Sequence, residues 1–215
     1  MSARRNPDKT RESLLQAAFD EIHKSGFRAA DVPRILAQAG VTKGALYHHF
    51  GSKKGLGYAV VDEIVREMVV DSWVRPLRAA NPIDAMIAIL REGMGNAEEV
   101  VTCGCPLNNL AQEMSPVDDG FRERIDRLFT LWRRELAESL ARGQREGTVR
   151  PDVDAEDTAA FLVAACEGAI GSAKGSQDTS LLATCARGIV QYLETLRPPA
   201  AASPAPAAPR TAALH

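Results

Sequence analysis

Residues 31–50 read DVPRILAQAGVTKGALYHHF, and their spacing predicts two short helices joined by a tight turn. Asp31 stands where an N-cap belongs, and Pro33 is tolerated in the opening turn because an N–H there has no intrahelical partner. Val32, Ile35, Leu36 and Ala39 recur at helical spacing and form an inward face. Gly40 can take the left-handed conformation that ends a helix, Val41 follows as the buried turn residue, and Thr42 caps a second helix over 43–49. Ala45, Leu46 and Phe50 turn inward. A helix of about two turns is not stable by itself, so neighbours must hold it. Its outer face carries Thr42, Lys43, Gly44, Tyr47 and His48, which are hydrogen-bond donors with one fixed cation among them. This is the build of a helix-turn-helix, whose second helix enters the major groove of DNA.

Working outward, a first helix precedes this pair, with Leu14, Leu15, Ala18, Phe19 and Ile22 as its inner stripe, Asn6 to Asp8 or Thr10 as cap and Gly26 as its end. Phe27 plugs the small three-helix core, and Arg28 is a candidate phosphate contact. Residues 1–9 are basic through Arg4, Arg5 and Lys9 and read as a frayed end or as an arm reaching the neighbouring minor groove. Ser52 caps a long fourth helix predicted to end near Val74, before Pro76. Asn81-Pro82 starts a fifth helix to about residue 100, weakened by Gly93 and Gly95, and Pro106 starts a sixth after a break at 102–106. The seventh, about 117–146, has the clearest periodicity: Phe121, Ile125, Leu128, Phe129, Trp132, Leu136 and Leu140. Asp154 caps an eighth helix over about 155–174, and Ser180 a ninth over about 181–197. Residues 198–215 are rich in proline and alanine and are expected to form a disordered tail. The fold class is therefore all-α with about nine helices: a reader over 1–54 and a helical unit over 55–197.

Formal net charge is −2 for the 215 residues, which alone argues against nucleic-acid binding. The distribution reverses that reading: residues 1–54 hold ten Lys/Arg against five Asp/Glu, a net of +5, and the remainder sixteen against twenty-three, a net of −7. A basic head on an acidic body localises the attraction for phosphate. No apolar run approaches the ~20 residues of a membrane span, and no hydrophobic stretch follows Arg4 and Arg5, so the expected location is cytoplasmic, with the four cysteines reduced.

The stretch GVTKGALYHHFGSKKGL, together with TRESLLQAAFDEIHKSGF before it, resembles the DNA-binding domain of the TetR family of bacterial one-component repressors over residues 10–60. Two positions depart from that pattern. Pro33 stands where the family usually has a polar residue, and Lys54 where it often has glutamate; the latter removes a favourable helix-dipole interaction and adds a positive charge near DNA. GCPLNNLAQEMSPVDDGFR resembles the regulatory domain of a subgroup of the family. The resemblance implies operator DNA as partner, a homodimer, a small-molecule effector and no cofactor. It implies phosphate contacts from Tyr47 and Lys53, a fourth helix that joins reader to sensor, and pairing of helices eight and nine with their copies.

Among candidate sites, His48 and His49 point about 100° apart on a helix and so do not share a metal ion. His48 is read as a phosphate or base-edge donor, and Lys43 as reading guanine or holding phosphate. Cys103 and Cys105 form a CxC with no second pair and no histidine between residues 50 and 214, so no metal site is expected. Pro106 opens a helix whose dipole could lower the Cys105 pKa, which leaves open a thiol sensor or, at the margin, a thiolate enzyme. An effector pocket is expected among Met68, Trp73, Met86, Met94, Cys105, Asn109, Phe129, Trp132, Phe161 and Cys166, apolar enough to favour a hydrophobic ligand. Leu162, Ala169, Ile170, Leu182, Ile189 and Leu193 are the expected dimer face. The function expected is a regulator, most simply a repressor released by its effector; an effector-independent binder and an activator remain alternatives.

Overall fold

The computed structural model describes residues 7–199, and the proposed arm residues Arg4 and Arg5, the Asn6 cap and the tail from residue 200 lie outside them. The reader is built from α1 (Pro7–Ser25), α2 (Val32–Ala39) and α3 (Lys43–Phe50). Lys9 belongs to α1 rather than to an arm. Leu14, Ala18, Ile35, Leu46 and Leu56 are buried between these helices and the next, which is what holds so short an α3 in place. Gly40 sits at φ 64°, and the N–H groups of Gly40 and Val41 return to Ala37 O and Leu36 O. Asp31 and Thr42 occupy the N-cap positions, but neither side chain makes a capping hydrogen bond.

α4 spans residues 53–79 as one unbroken rod. Ser52 Oγ caps it by accepting from Gly55 N at 2.9 Å. Two turns of the rod, Val60–Val65 and Val70–Val74, are π-helical. The rod passes Pro76 and ends at Ala79, five residues beyond the predicted stop. The widened turn just before Pro76 accommodates a ring that would otherwise clash with the carbonyl four residues back.

The sensor follows as α5 (Pro82–Gly95), α6 (Ala97–Cys103), α7 (Pro106–Met114), α8 (Asp119–Arg145), α9 (Ala155–Ser176) and α10 (Thr179–Thr195). The predicted fifth helix is thus two, parted at Asn96 behind the helix-weakening Gly93 and Gly95. Asn81 and Asp154 cap as expected. Asp178, not Ser180, caps α10, accepting from Ser180 N at 2.8 Å.

α8 is the spine, and it fastens both ends of α4. At the reader end, Asp118 caps α8 through Phe121 N (3.0 Å), accepts from Tyr58 Oη at 2.6 Å and faces Lys54 Nζ at 3.4 Å. The hydrogen bond from Tyr58, foremost, holds the Asp118 carboxyl below its ordinary pKa. At the far end, Arg78 forks onto the buried Glu135, with Nε–Oε2 at 2.7 Å, and Arg142 donates to Leu77 O and Ala80 O at 2.6 and 2.9 Å. Between these ties, Gly57 permits a close approach: a Cβ there would lie 2.4 Å from the Phe27 ring and 2.8 Å from Phe121. Reader, rod and spine meet at that point without a gap.

Candidate nucleic-acid interface and effector cavity

The outward face of α3 presents Thr42, Lys43, Gly44, Tyr47 and His48, all exposed, with Tyr47 at 49 %. Lys43 Nζ lies 5.8 Å from the centroid of the Tyr47 ring, so the cation and the phenol form one patch. A Cβ on Gly44 would find only Thr42 Oγ1, at 3.8 Å, which keeps this end of the helix low against an approaching surface. His48 and His49 stand edge to face at 5.1 Å. His49 is half-buried against Phe50, and among the described residues no cluster of His, Cys, Asp or Glu could hold a metal ion.

The remaining cations are placed differently from one another. Arg28 is exposed in the turn between α1 and α2. Lys53 is half-buried: its Nζ donates to Arg28 O at 3.1 Å and lies 5.1 Å over the Phe27 ring. It therefore braces that turn as well as offering charge. Lys54, expected as added charge near DNA, is exposed, with its Nζ 3.4 Å from Asp118 Oδ2 and 5.9 Å from the centroid of the Tyr58 ring. Two features of the reader carry no local sequence signal. Arg11 pairs with Glu63 of α4 and covers Phe50. Glu113 of α7 accepts from the backbone N–H groups of Phe27 and Arg28.

A cavity of about 390 Å³ lies between α4, α5, α6, α9 and α10. α4 contributes Asp71, Ser72, Trp73 and Pro76, from and beside the second π turn; α5 and α6 contribute Leu90, Glu92, Met94 and Val100. α9 and α10 close it with Cys166, Ala169, Ile170, Leu182, Ala186 and Ile189. The walls are apolar, and the charged groups on them, Asp71 and Glu92, are acidic.

Three of the expected pocket residues, Trp73, Met94 and Cys166, line this cavity. Trp132 and Met86 are instead core, 2 % and 1 % exposed, with Trp132 packed on Trp73 at 4.2 Å and Phe129 stacked on Trp132 at 6.5 Å. Met68 lies on the surface between α1 and α4. Asn109 is tied to Cys103 O and Lys174 Nζ, away from the cavity.

Of the residues expected at the dimer face, Ile170 and Leu182 line the cavity, Ala169 and Ile189 reach both the cavity and the outer side of α9 and α10, and Leu162 and Leu193 are fully buried in the protomer. The exposed side of α9 and α10 is a shallow groove containing Gly168, Ser172, Cys185 and Gly188, with Phe161 and Tyr192 paired edge to face at 4.9 Å along it. Phe161, expected in the pocket, is 51 % exposed there.

The cysteines are free thiols. Burial, and then the nearby Glu167, pushes Cys166 up to about 12 and drives Cys105 higher still. This is opposite to the dipole effect expected at the start of α7, and it leaves neither as a ready thiolate. Glu167 itself is 8 % exposed, and neither carboxylate oxygen has a hydrogen bond of good geometry. Burial raises its pKa, tempered by the Cys105 thiol and the Asn108 side chain nearby. Sequence reading gave no sign of it.

Comparison with known proteins agrees with this geometry. A family described as "Bacterial regulatory proteins, tetR family" matches residues 14–60, and one described as "Tetracyclin repressor-like, C-terminal domain" matches residues 81–189. The HTH-type transcriptional repressor DhaR of Mycobacterium sp. (strain GP1) is 29% identical over 167 residues, covering 74% of this chain and 80% of its own. The transcriptional regulator AcuR of Cereibacter sphaeroides is 29% identical over 170 residues, covering 76% and 75%. A TetR transcriptional regulator from Chloroflexus aurantiacus superposes with a TM-score of 0.79 at 28% identity, over 89% of this chain and 97% of that one.

Proposed function

The chain belongs to the tetR family of bacterial regulatory proteins, DNA-binding transcriptional regulators rather than enzymes, and from that premise we propose that it is a dimeric repressor released from a palindromic operator by a small, largely apolar effector. The observation that carries the reading is the exposed patch on α3, Lys43 with Tyr47 and His48, on a helix too short to stand without the core beneath it. Such a helix fits the major groove. Lys43 reads a base edge, while Tyr47, His48, Thr42, Arg28 and Lys53 hold phosphates, and Gly44 lets the backbone come close. In the dimer, two copies of α3 enter successive major grooves about 34–36 Å apart. The printed name of DhaR, a repressor, supports the direction of control.

The cavity supports the effector reading. Its volume and apolar walls suit a small molecule with few polar groups. An effector that binds better to a state with badly spaced α3 helices shifts the population away from the DNA-competent one. The protein then acts where its DNA is, in the bacterial cytoplasm.

The test is a gel shift on the DNA upstream of its own coding region, at graded salt and with nonspecific competitor. A discrete, salt-sensitive shift with a protected palindrome is expected. Lys43→Ala then loses discrimination between operator variants, whereas Lys53→Ala weakens all variants alike and lowers the salt slope by about one. Equal losses for both substitutions at every variant would remove base reading from Lys43. Absence of any discrete shift, there and in a genome-wide selection for bound DNA, would overturn the repressor reading.

A further inference from the structure

The turn between α1 and α2 is held by a side chain of the sensor. Glu113, in the last turn of α7, accepts from Phe27 N at 2.7 Å through Oε2 and from Arg28 N at 2.8 Å through Oε1. The approach is possible because residue 26 is glycine: a Cβ there would sit 3.0 Å from Glu113 Oε2. Lys53 Nζ in turn donates to Arg28 O at 3.1 Å. The peptide groups on both sides of the Arg28 Cα are therefore fixed, one by α7 and one by the first turn of α4, while the Arg28 guanidinium stays exposed. The start of the same sensor segment touches α1 too, where His23 Nε2 lies 2.9 Å from Gly104 O.

We propose that Glu113 is a positioning residue for operator binding: it sets the Arg28 backbone so that the guanidinium meets a DNA phosphate, and so makes that contact depend on where α7 is seated. A carboxylate can accept from two N–H groups at once, and hydrogen bonds to a charged acceptor are the stronger kind. Gln keeps the length of Glu but has one acceptor oxygen, and its NH2 group would face the second N–H as donor against donor. α7 follows directly from α6, whose Val100 lines the cavity, so a change in that wall reaches the Arg28 contact through one short helix. The proposal rests on the reading of Arg28 as a phosphate contact, and its test separates the two.

The full-length protein, Glu113→Gln, Arg28→Ala and the double variant are titrated with operator DNA by fluorescence anisotropy across a salt series, with circular dichroism and Tm recorded for each. Arg28→Ala is expected to lower affinity and reduce the salt slope by about one. Glu113→Gln should lower affinity roughly threefold to tenfold, the scale of a phosphate contact weakened but not deleted, and flatten the same slope. The double variant should bind like Arg28→Ala alone. A merely structural role for Glu113 would lower Tm and affinity while leaving the salt slope unchanged, and its effect would add to that of Arg28→Ala; either result overturns the proposal. Wild-type binding by Glu113→Gln also overturns it. If Arg28→Ala binds like wild type while Glu113→Gln is weakened, the route through Arg28 is wrong although the operator reading survives. If Glu113→Gln fails to fold, Glu113→Asp, which keeps the charge one methylene shorter, replaces it in the same cycle with the same expectations.

Discussion

A carboxyl group buried without a hydrogen-bond partner destabilises a fold in either charge state, and more so when ionised. Glu167 is such a group: both oxygens lie out of solvent, and its polar neighbours are a thiol and an amide. Burial sets its folded-state pKa above the ordinary 4.5, so the native state binds the proton more tightly than the unfolded chain does. The carboxyl is therefore least costly below about 4.5, where both states are protonated, and stability falls as pH rises through the raised native value. Glu167→Leu, which removes the polar atoms, should be more stable than wild type by about 1–3 kcal/mol above neutral pH. That margin should shrink as the pH is lowered through the raised pKa. Urea denaturation at pH 5 and pH 8 measures it; a margin independent of pH would show that Glu167 has the same pKa folded and unfolded, so that burial does not raise it. The same burial argument counts against a reactive thiolate at Cys105 or Cys166, because both thiols are pushed away from ionisation rather than toward it.

At the scale of elements, α4 is a rod tied down at both ends of α8, with two π turns between the ties, the second of them bordering the cavity. The tight point is Gly57. Gly57→Ala would drive a methyl group into the Phe27 and Phe121 rings, and overpacking of this kind costs about 1–3 kcal/mol. Because Phe27 belongs to the reader and Phe121 to the spine, operator affinity should fall together with the urea midpoint. The same substitution at Gly93, where a Cβ meets nothing within 4 Å, should stabilise α5 by up to about 1 kcal/mol. A Gly57→Ala protein with an unchanged midpoint would mean that the seam is loose. What the sequence made legible at this scale was local: Ser52, Asn81 and Asp154 were readable as caps because a cap bonds its own backbone a few residues on. The helix-turn-helix was legible because Gly40, Leu46 and the polar residues of α3 lie within one short stretch. The inner and outer sides of α9 were not. FLVAACEGAIG is apolar nearly all round, so periodicity cannot say which side meets the cavity, and Phe161 exchanged places with Ile170. The Glu113 bonds join residues 86 and 85 positions apart in the chain and leave no local trace at all.

For the whole molecule, under the proposed function, one basic head on an acidic body is half of a palindrome reader, completed by a second copy. The face we expect to receive it is the groove where the side chains stop short: a Cβ on Gly168 or Gly188 would meet nothing within 4 Å, while Phe161 stands beside it more than half exposed. A two-fold pairing lets the Phe161–Tyr192 ridge of each protomer fill the bare groove of the other, a self-complementary contact of the kind a two-fold axis requires. Phe161→Glu should then move the protein from dimer to monomer in sedimentation velocity while leaving its Tm, extrapolated to low concentration, close to that of the wild-type monomer. Operator binding should weaken sharply, because two weakly held half-sites no longer share one ligand. Leu162, its neighbour in sequence, points the other way and is fully buried. Leu162→Ala should cost about 2–5 kcal/mol of protomer stability, as truncation of a packed leucine does, without a selective effect on association. The reverse pattern, with Leu162→Ala dissociating the dimer and Phe161→Glu leaving it intact, would place the interface elsewhere and leave the exposed aromatic ridge of α9 and α10 without its partner.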